Sequence, residues 1–267
     1  MKAVEGDDFR ADHVQRILEL EKALSVSETS LDAALHELDE VARFLSHDLR
    51  APLRGIDGYS QALLEEYGDK LDAVGQAYLA YIYESGKLAS AVLEKLIHYI
   101  RAPRAVLKIE VVNLSDLAQE LMERLQNAQP NRSATWVIMP GMMAQTDFSQ
   151  VRVLLEYLLE NAWKFTAKHP EARLEVGKFE QAGETVYFVR DDGAGFNMAY
   201  QDKLFQPFQR LHNAYEFEGA GMGLAVARRI VERLGGRIWA QGEVEKGATI
   251  FFTLGEQAVD QTEISTS

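Results

Sequence analysis

The chain of 267 residues has no cysteine. That absence excludes disulfide bonds, thiolate nucleophiles and zinc sites built on cysteine, and it suits a reducing compartment. Long apolar runs are missing too, since no stretch approaches the roughly 18–20 consecutive apolar residues of a membrane span. The first ten residues are charged and lack the apolar segment of a secretory signal. We therefore expect a cytoplasmic protein with no membrane segment in this chain.

Basic residues are scarce: 28 Lys and Arg face 41 Asp and Glu, and the net charge is −13. An acidic balance argues against broad nucleic-acid binding and against docking to anionic lipid. It still permits a nucleotide site, which needs only local charge. With 47% hydrophobic residues the chain can fill a core, and its length favours one or two domains.

Apolar residues recur every seven positions near the start of the chain, at Ile17, Leu24, Leu31, Leu38 and Leu45. This heptad stripe predicts a long helix that pairs with a partner helix, most simply in a parallel dimer. The alternative is one amphipathic helix packed on its own domain, but a long helix with such a narrow apolar stripe cannot bury the stripe by itself. We expect the helix to continue past Pro52, with a kink there, to about Glu66.

A second helix is predicted from Ala73 to Arg101, followed by a stop at Pro103. Two antiparallel helices per chain, doubled, would make a four-helix bundle formed by residues 1–104. Residues 105–256 mix strand and helix patterns and predict a mixed sheet with helices on one face, in which Ser115 and Asp147 serve as helix N-caps. The polar tail, 257–267, is predicted to fray.

Three short segments of the second domain carry groups that could bind phosphate. "DDGAGF" follows a predicted strand and "GAGMGL" opens a predicted helix, where free N–H groups favour anions. Each glycine run alone is better explained by a flexible turn that leads into a helix. "LLENAWKFT" places Asn161 and Lys164 on one helical face, where an amide oxygen suits Mg²⁺ and an ammonium suits phosphate. The alternative is a solvated helix face, but it does not explain three such segments in this order.

"RFLSHDLRAPLRGIDGYS" sets His47 beside Asp48 within the first helix. Histidine offers a neutral ring nitrogen near neutral pH. Asp48 can accept a hydrogen bond from the other ring nitrogen and favour a developing positive charge. The remaining histidines lack such a context and are interpreted as structural or solvated: His13, His36, His98, His169 and His212.

The chain resembles the catalytic core of a sensor histidine kinase over nearly its whole length. "FLSHDLRAPL" is similar to the phospho-acceptor box, "LLENAWKFT" to the asparagine box, "VRDDGAGF" and "GAGMGL" to the two glycine boxes, and "KLFQPFQRL" to the phenylalanine box. "PFQRLH" and "RIVERLGGRIWAQG" are similar to the branch attached to phytochrome-type light sensors. The resemblance implies a dimeric helical hairpin followed by an ATP-binding α/β sandwich of the gyrase/Hsp90-like type.

The resemblance also implies site residues for ATP and Mg²⁺. Asp191 would hydrogen-bond the adenine amino group, and Gly193 and Gly195 would let the backbone pass close to the base. Asn161 would hold Mg²⁺, and Lys164 would contact phosphate.

A lid over the nucleotide is implied at about residues 197–218, with Phe205 and Phe208 as apolar anchors. Arg210 is either a γ-phosphate contact or a surface arginine, with about equal support. The hinge and floor of this lid would be formed by Gly219, Gly221, Gly223 and Leu224.

Two positions depart from the family pattern. Family members often have a second asparagine four residues before the metal-binding one, where this chain has Tyr157, a poor Mg²⁺ ligand. Many members also have threonine or asparagine four residues after the acceptor histidine, where this chain has Ala51. Ala51 cannot position a water, so we expect weak phosphatase activity toward the receiver.

The resemblance implies a homodimeric autokinase that phosphorylates His47 and passes the phosphoryl group to an aspartate of a response-regulator receiver. Because the heptad helix begins near Met1, we expect a sensor domain upstream or a separate sensor subunit. Two alternatives are a catalytically weak dimeric scaffold, supported by Tyr157 alone, and an ATPase clamp, disfavoured by the heptad helix that carries His47. Spacing leaves open whether phosphate moves within a chain or across the dimer.

Overall fold

The computed structural model describes residues 4–102, 107–212, 216–217 and 219–255. The chain divides into two compact units, one ending at Leu49 and the other beginning at Arg50. Pro103, the tail from 257, and residues 213–215 and 218 of the expected lid lie outside the described residues.

The first unit is helical. α1 spans Val4–Phe44 and is followed by a π-helical segment, Leu45–Leu49. The heptad residues of α1 are exposed to solvent in the single chain: Ile17 is 54%, Leu24 60% and Leu31 59% exposed. The long helix is confirmed, whereas the π-helical segment was not predicted; such segments often occur at functional sites.

The second unit begins with a helical hairpin, as predicted. α2 spans Arg50–Tyr67, and α3 spans Ala73–Arg101 after a short 3₁₀ turn. The two helices approach closely at Gly86, where an added Cβ would lie 2.3 Å from the Oδ1 of Asp57. Ser90 donates to the other oxygen of that carboxylate at 3.2 Å, so Asp57 ties α2 to α3.

The α/β part of the unit contains two sheets. The larger has five strands in the order β2-β4-β5-β7-β6, in which only the β2–β4 pair is parallel; β1 and β3 form a small antiparallel sheet. The strands are β1 Ile109–Asn113, β2 Ala134–Ile138, β3 Met143–Asp147, β4 Ala172–Gln181, β5 Glu184–Asp191, β6 Ile238–Glu243 and β7 Gly247–Thr253. The helices are α4 Leu114–Ala128, α5 Phe148–Phe165, α6 Gln201–Leu204 and α7 Gly223–Arg233.

The core lies between one face of the larger sheet and the helices α4, α5 and α7. Alternate strand residues such as Leu174, Val176 and Val189 join the buried cluster with Leu158 and Ile230 of the helices. The opposite face carries an aromatic group instead, in which the ring of Trp239 stacks on Phe251 at 5.5 Å. The predicted fold class, a mixed sheet with helices on one face, is confirmed.

The prediction that Ser115 caps α4 is wrong. Asn113 is the N-cap, and its side-chain oxygen accepts from the backbone N–H groups of Ser115 and Asp116. The Ser115 hydroxyl donates to the Met139 carbonyl at 2.7 Å and accepts from the Met142 N–H at 2.9 Å. Ser115 is therefore a buried link between α4 and the β2–β3 connection, a role set by tertiary contacts.

Asp147 caps α5, as predicted, and also fastens the segment before β1. Its carboxylate accepts from the N–H groups of Gln150 at 2.9 Å and Lys108 at 2.7 Å. Burial raises the pKa of Asp147, but these bonds and one from the Ser149 hydroxyl outweigh it, so the net pKa is lowered. Because the folded pKa is depressed, the charged carboxylate stabilises the fold above its unfolded pKa, near 3.8, and this stability is lost as pH falls below it.

We expect Asp147→Ala to lower the free energy of unfolding at pH 7 by roughly 2–4 kcal/mol, because it leaves the partly buried N–H groups of Lys108 and Gln150 without their acceptor. Urea unfolding followed by circular dichroism measures this. Asp202→Ala removes an exposed acid from the first turn of α6 and should cost far less. Equal losses for the two variants, or an undiminished loss for Asp147→Ala at pH 3, would contradict this role.

Candidate functional site

A cleft opens beside α5 and the end of β5, enclosing about 1180 Å³ when counted out to its open mouth. Its walls also include the segment after β5, residues 209–212 and the segment that leads into α7. A cleft at a sheet end that combines an apolar lining with a few charged groups is typical of a small-molecule site.

One end of the cleft holds a buried acid, Asp191, the last residue of β5. The side chain is only 8% exposed, and its Oδ1 accepts from the Gly193 N–H at 2.9 Å. Burial raises the pKa of this carboxyl to about 6, although backbone hydrogen bonds from Gly193 and Ala248 oppose the rise. Asp191 thus offers a strong acceptor at the apolar end of the cleft, among Val189, Ala248 and Ile250.

Gly195, which also lines the cleft, has to be glycine because neighbouring backbone leaves no room for a side chain. Gly195 has φ 59°, and a Cβ there would lie 1.9 Å from the Glu243 carbonyl oxygen. Its carbonyl lies 2.9 Å from His212 Nε2, and the His212 ring packs on Phe165 and Phe217. Gly193 is similarly confined, because a Cβ would lie 2.5 Å from the Phe165 carbonyl oxygen.

The other end of the cleft is basic. Asn161 and Lys164 both line it from α5, as their spacing predicted, and Arg210 and Lys95 line it from other segments. Burial lowers the pKa of Lys164 to about 8, with repulsion from Lys95 and Arg210 as the next causes. Arg210 is an exposed residue that lines the cleft, and its guanidinium donates to the Phe217 carbonyl at 2.5 Å.

The glycine run before α7 packs closely against other residues that line the cleft. Gly221 has φ 70°, and a Cβ there would lie 2.3 Å from the Gln209 carbonyl oxygen. Gly219 has φ 118° and faces the Lys164 ammonium. Both line the cleft, as do Gly223 and Leu224 at the start of α7.

The two phenylalanines of the expected lid differ in placement. Phe205 is buried in the core, whereas Phe208 is 58% exposed with φ 61°. Neither is among the described residues that line the cleft. The expectation that Phe208 is an apolar anchor therefore does not hold in this structure. The described lid residues contain a 3₁₀ turn, Met198–Tyr200, and the short α6.

Tyr157 does not take part in the cleft wall formed by the described residues. It is 6% exposed, and its hydroxyl lies 2.7 Å from the Nδ1 of His98 on α3. Burial raises the pKa of Tyr157 and lowers that of His98, so both groups are neutral near pH 7. His98, expected to be structural or solvated, is thus a structural contact between the hairpin and α5.

In the first unit, His47 lies within the π-helical segment with its side chain 88% exposed. Its Nδ1 lies 2.6 Å from the Oδ1 of Asp48, the hydrogen bond that the sequence predicted. The opposite ring nitrogen, Nε2, is left at the exposed end of the ring.

Sequence reasoning gave no site role to several lining residues, among them Lys95, Glu160 and His212. Lys95 belongs to a helix that the sequence assigns to the dimer hairpin, and the residues around it give no signal of a ligand site. His212 follows "PFQRL", and its position within the expected lid was the available signal. Among the described residues no group of three or more His, Asp or Glu could hold a metal by itself.

Two protein families match the chain. Residues 37–104 match the His Kinase A (phospho-acceptor) domain, and residues 146–258 match the Histidine kinase-, DNA gyrase B-, and HSP90-like ATPase. The first match contains the His47–Asp48 pair, and the second contains the residues of the cleft except Lys95.

Curated relatives match almost the whole chain. Cyanobacterial phytochrome B of Nostoc sp. is 28% identical over 250 residues, which cover 92% of this chain and 33% of that protein. The methanogenesis regulatory histidine kinase FilI of Methanothrix harundinacea is 31% identical over 250 residues, covering 92% and 27%. The chain therefore spans about a third or less of the length of these relatives.

Solved structures share the fold. Full-length ShkA in complex with AMPPNP superposes with a TM-score of 0.60 at 24% identity, covering 80% of this chain and 45% of that one. The Acinetobacter baumannii histidine kinase AdeS gives 0.54 at 18% identity, covering 79% and 98%. In the part of the chain that the structure describes, no helix is long and apolar enough to cross a membrane.

The raised pKa of Asp191 predicts a stability that falls as pH rises. The folded state binds more protons between the unfolded pKa of 3.8 and the folded pKa of about 6, so stability is full below that window and lost through it. Asp191→Asn removes the buried charge. We expect its free energy of unfolding to exceed that of the unchanged chain by about 2 kcal/mol at pH 7.5, and to match it at pH 4.

Urea unfolding at the two pH values measures this difference. Asp192→Asn is the control, since Asp192 is half-buried next to Asp191 and carries the same charge. A gain at pH 7.5 for Asp192→Asn as well, or none for Asp191→Asn, would show that the burial of Asp191 is not the cause.

Proposed function

We propose that this chain, which is the catalytic core of a sensor histidine kinase, transfers the γ-phosphoryl group of ATP to His47 of its own dimer. The observation that carries the proposal is the pairing of an exposed histidine, hydrogen-bonded to Asp48, with a cleft that is acidic at its apolar end and basic at the other. Both halves lie inside the matched family domains.

The His47–Asp48 hydrogen bond selects the nucleophile. When Nδ1 carries the proton and donates it to Asp48, the lone pair of neutral imidazole is on Nε2. Nε2 attacks the γ-phosphorus, and the bond from that phosphorus to the β,γ-bridging oxygen breaks, releasing ADP. The phosphorylated ring gains positive charge, which the Asp48 carboxylate stabilises.

The two groups of charged residues in the cleft match the two ends of ATP, the adenine and the phosphates. Asp191 is proposed to accept a hydrogen bond from the adenine amino group, with Val189 and Ile250 against the base. Lys164 and Arg210 are proposed to contact the phosphates from the basic end, where the segment of Gly219 and Gly221 closes over them. Positioning and charge are the main contributions that phosphoryl transfer needs from a protein.

A magnesium ion fits the donors at the basic end. Asn161 and Glu160 both line the cleft and offer oxygen atoms, the ligands that Mg²⁺ prefers, with the rest of its shell left to phosphate and water. We propose that Asn161 holds the ion, which would neutralise phosphate charge. The Tyr157 hydroxyl is committed to His98 and is not available for this purpose.

A homodimer is proposed through the N-terminal helices. Apolar and aromatic side chains of the hairpin are exposed in the single chain, in addition to the heptad residues of α1: Ile56, Tyr59, Leu63, Tyr78, Tyr81 and Ile82. An exposed apolar stripe of this length on helices is typical of a bundle interface. A response-regulator receiver, an upstream sensor domain or subunit, and a cytoplasmic location complete the proposal.

Incubation with γ-labelled ATP and Mg²⁺ tests the acceptor. We expect acid-labile, base-stable label on the unchanged chain and none on His47→Gln, because the hydrogen bond from Nδ1 of His47 to Asp48 leaves Nε2 as the attacking atom. His36→Gln is the matched control, since His36 is an exposed histidine of α1, and it should label normally.

Label that survives in His47→Gln would sink the autokinase proposal. Bound ATP without label on the unchanged chain would favour the scaffold, and ATP consumption without label would favour the clamp.

Asp48→Asn should lower the single-turnover rate of labelling by about 100-fold or more, because the amide leaves the developing charge on the ring without a counter-charge. ATP affinity should stay the same, since Asp48 is in the first unit and the cleft is lined from the second. Glu40→Gln removes one exposed acid from α1 as a control. A weakened ATP affinity for Asp48→Asn, or an unchanged rate, would contradict this role.

A further inference from the structure

The helical hairpin contributes one side chain to the cleft. Lys95 of α3 is the single hairpin residue among the described lining residues, and its side chain is 28% exposed. Its Nζ lies 3.8 Å from the Oε2 of Glu160, the neighbour of Asn161 on α5. The ammonium group also lies 5.3 Å from the centre of the Tyr157 ring, so it sits over α5 rather than in solvent.

Two further contacts hold this face of α3 against the α/β part. His98 bonds to the Tyr157 hydroxyl at 2.7 Å, and the Tyr99 hydroxyl accepts from Arg229 of α7 at 3.0 Å. The Arg229 guanidinium also lies 4.2 Å from the centre of the Tyr99 ring. Residues 95, 98 and 99 are three and four positions apart, so they share one helix face. The placement of Lys95 is therefore set by contacts of α3 with both α5 and α7.

Among the described lining residues near Lys164, cations outnumber acids. Three cations line the cleft there, Lys95, Lys164 and Arg210, beside one lining acid, Glu160. Glu94 and Glu156 also act on the neighbouring Tyr157, but they are not among the described lining residues. The effect is visible in Lys164, whose pKa falls to about 8 through burial first and then through the other two cations. The Lys95–Glu160 ion pair adds little to the stability of the fold, because a partly exposed pair at 3.8 Å contributes about 1 kcal/mol or less.

We propose that Lys95 is a phosphate-binding residue, supplied by the helical hairpin, that contacts the polyphosphate of the nucleotide. This inference rests on the proposed function, because it names a further residue of the same ATP site. On binding, the ammonium exchanges Glu160 for phosphate oxygens, and the negative phosphates relieve the repulsion among the three cations. The contact makes the triphosphate end of the site depend on the position of the hairpin.

The test compares nucleotides with and without phosphates. Lys95→Met keeps an unbranched apolar stem and removes the charge. We expect it to weaken ATP binding to the full chain by about five- to tenfold, measured by calorimetry with Mg²⁺, and to leave adenosine binding unchanged. Lys95→Arg, which keeps the charge, should retain most of the preference for ATP over adenosine.

Lys87→Met is the matched control. Lys87 is on the same helix, but its ammonium lies 4.7 Å from the centre of the Tyr83 ring and it is not among the described lining residues. This variant should bind both ligands like the unchanged chain.

An unchanged ATP affinity in Lys95→Met would overturn the inference and leave the proposed function intact. Equal weakening of ATP and adenosine would overturn it too, since Lys95 would then act through the fold. Failure of the unchanged chain to bind ATP would remove both the inference and the proposed function.

Discussion

Charge buried in the cleft is the constraint on which the rest of the site depends. Asp191 and Lys164 lie at opposite ends, and burial moves both pKa values toward neutrality, to about 6 and about 8. Each shift is a free-energy cost that the core around α5 and β5 has to cover. A ligand with a hydrogen-bond donor at one end and negative charge at the other would recover that cost on binding. The polarity of the cleft therefore carries more information about its ligand than its size does.

Helix α5 organises this polarity. Its N-terminus is fixed by Asp147, which ties it to the segment before β1, and its C-terminal half presents Asn161 and Lys164 to the cleft. On the same helix, the hydroxyl of Tyr157 is hydrogen-bonded to His98 of α3. One rigid element thus aligns the basic end of the cleft with the hairpin. A change in the hairpin that moves α3 would be felt at Lys164 through Lys95, because the two ammonium groups repel each other.

The parts of this structure that local chemistry decides could be predicted from the sequence. The heptad repeat predicted α1, Asp147 predicted the start of α5, and the three-residue spacing of Asn161 and Lys164 predicted a shared face. The His47–Asp48 hydrogen bond followed from adjacency alone.

Features set by contacts between distant segments were not predictable in this way. Ser115 has the sequence context of an N-cap, but its hydroxyl is used by the β2–β3 connection, and Asn113 caps α4 instead. Lys95 enters the cleft only because α3 packs on α5. The glycines were predicted to give the ligand room, whereas Gly195 is required by the Glu243 carbonyl of the protein itself.

Tyr157 shows how one departure from the family pattern acts in two places. The resemblance implied an asparagine at this position, and a phenol there is a poor ligand for Mg²⁺. In the structure the phenol is neutral, because burial raises its pKa, and His98 is neutral because burial lowers its pKa. A neutral O–H donating to a neutral ring nitrogen is a bond that survives burial without an ion pair. The Tyr157 hydroxyl is therefore used to fasten α3, the helix whose Lys95 lines the cleft.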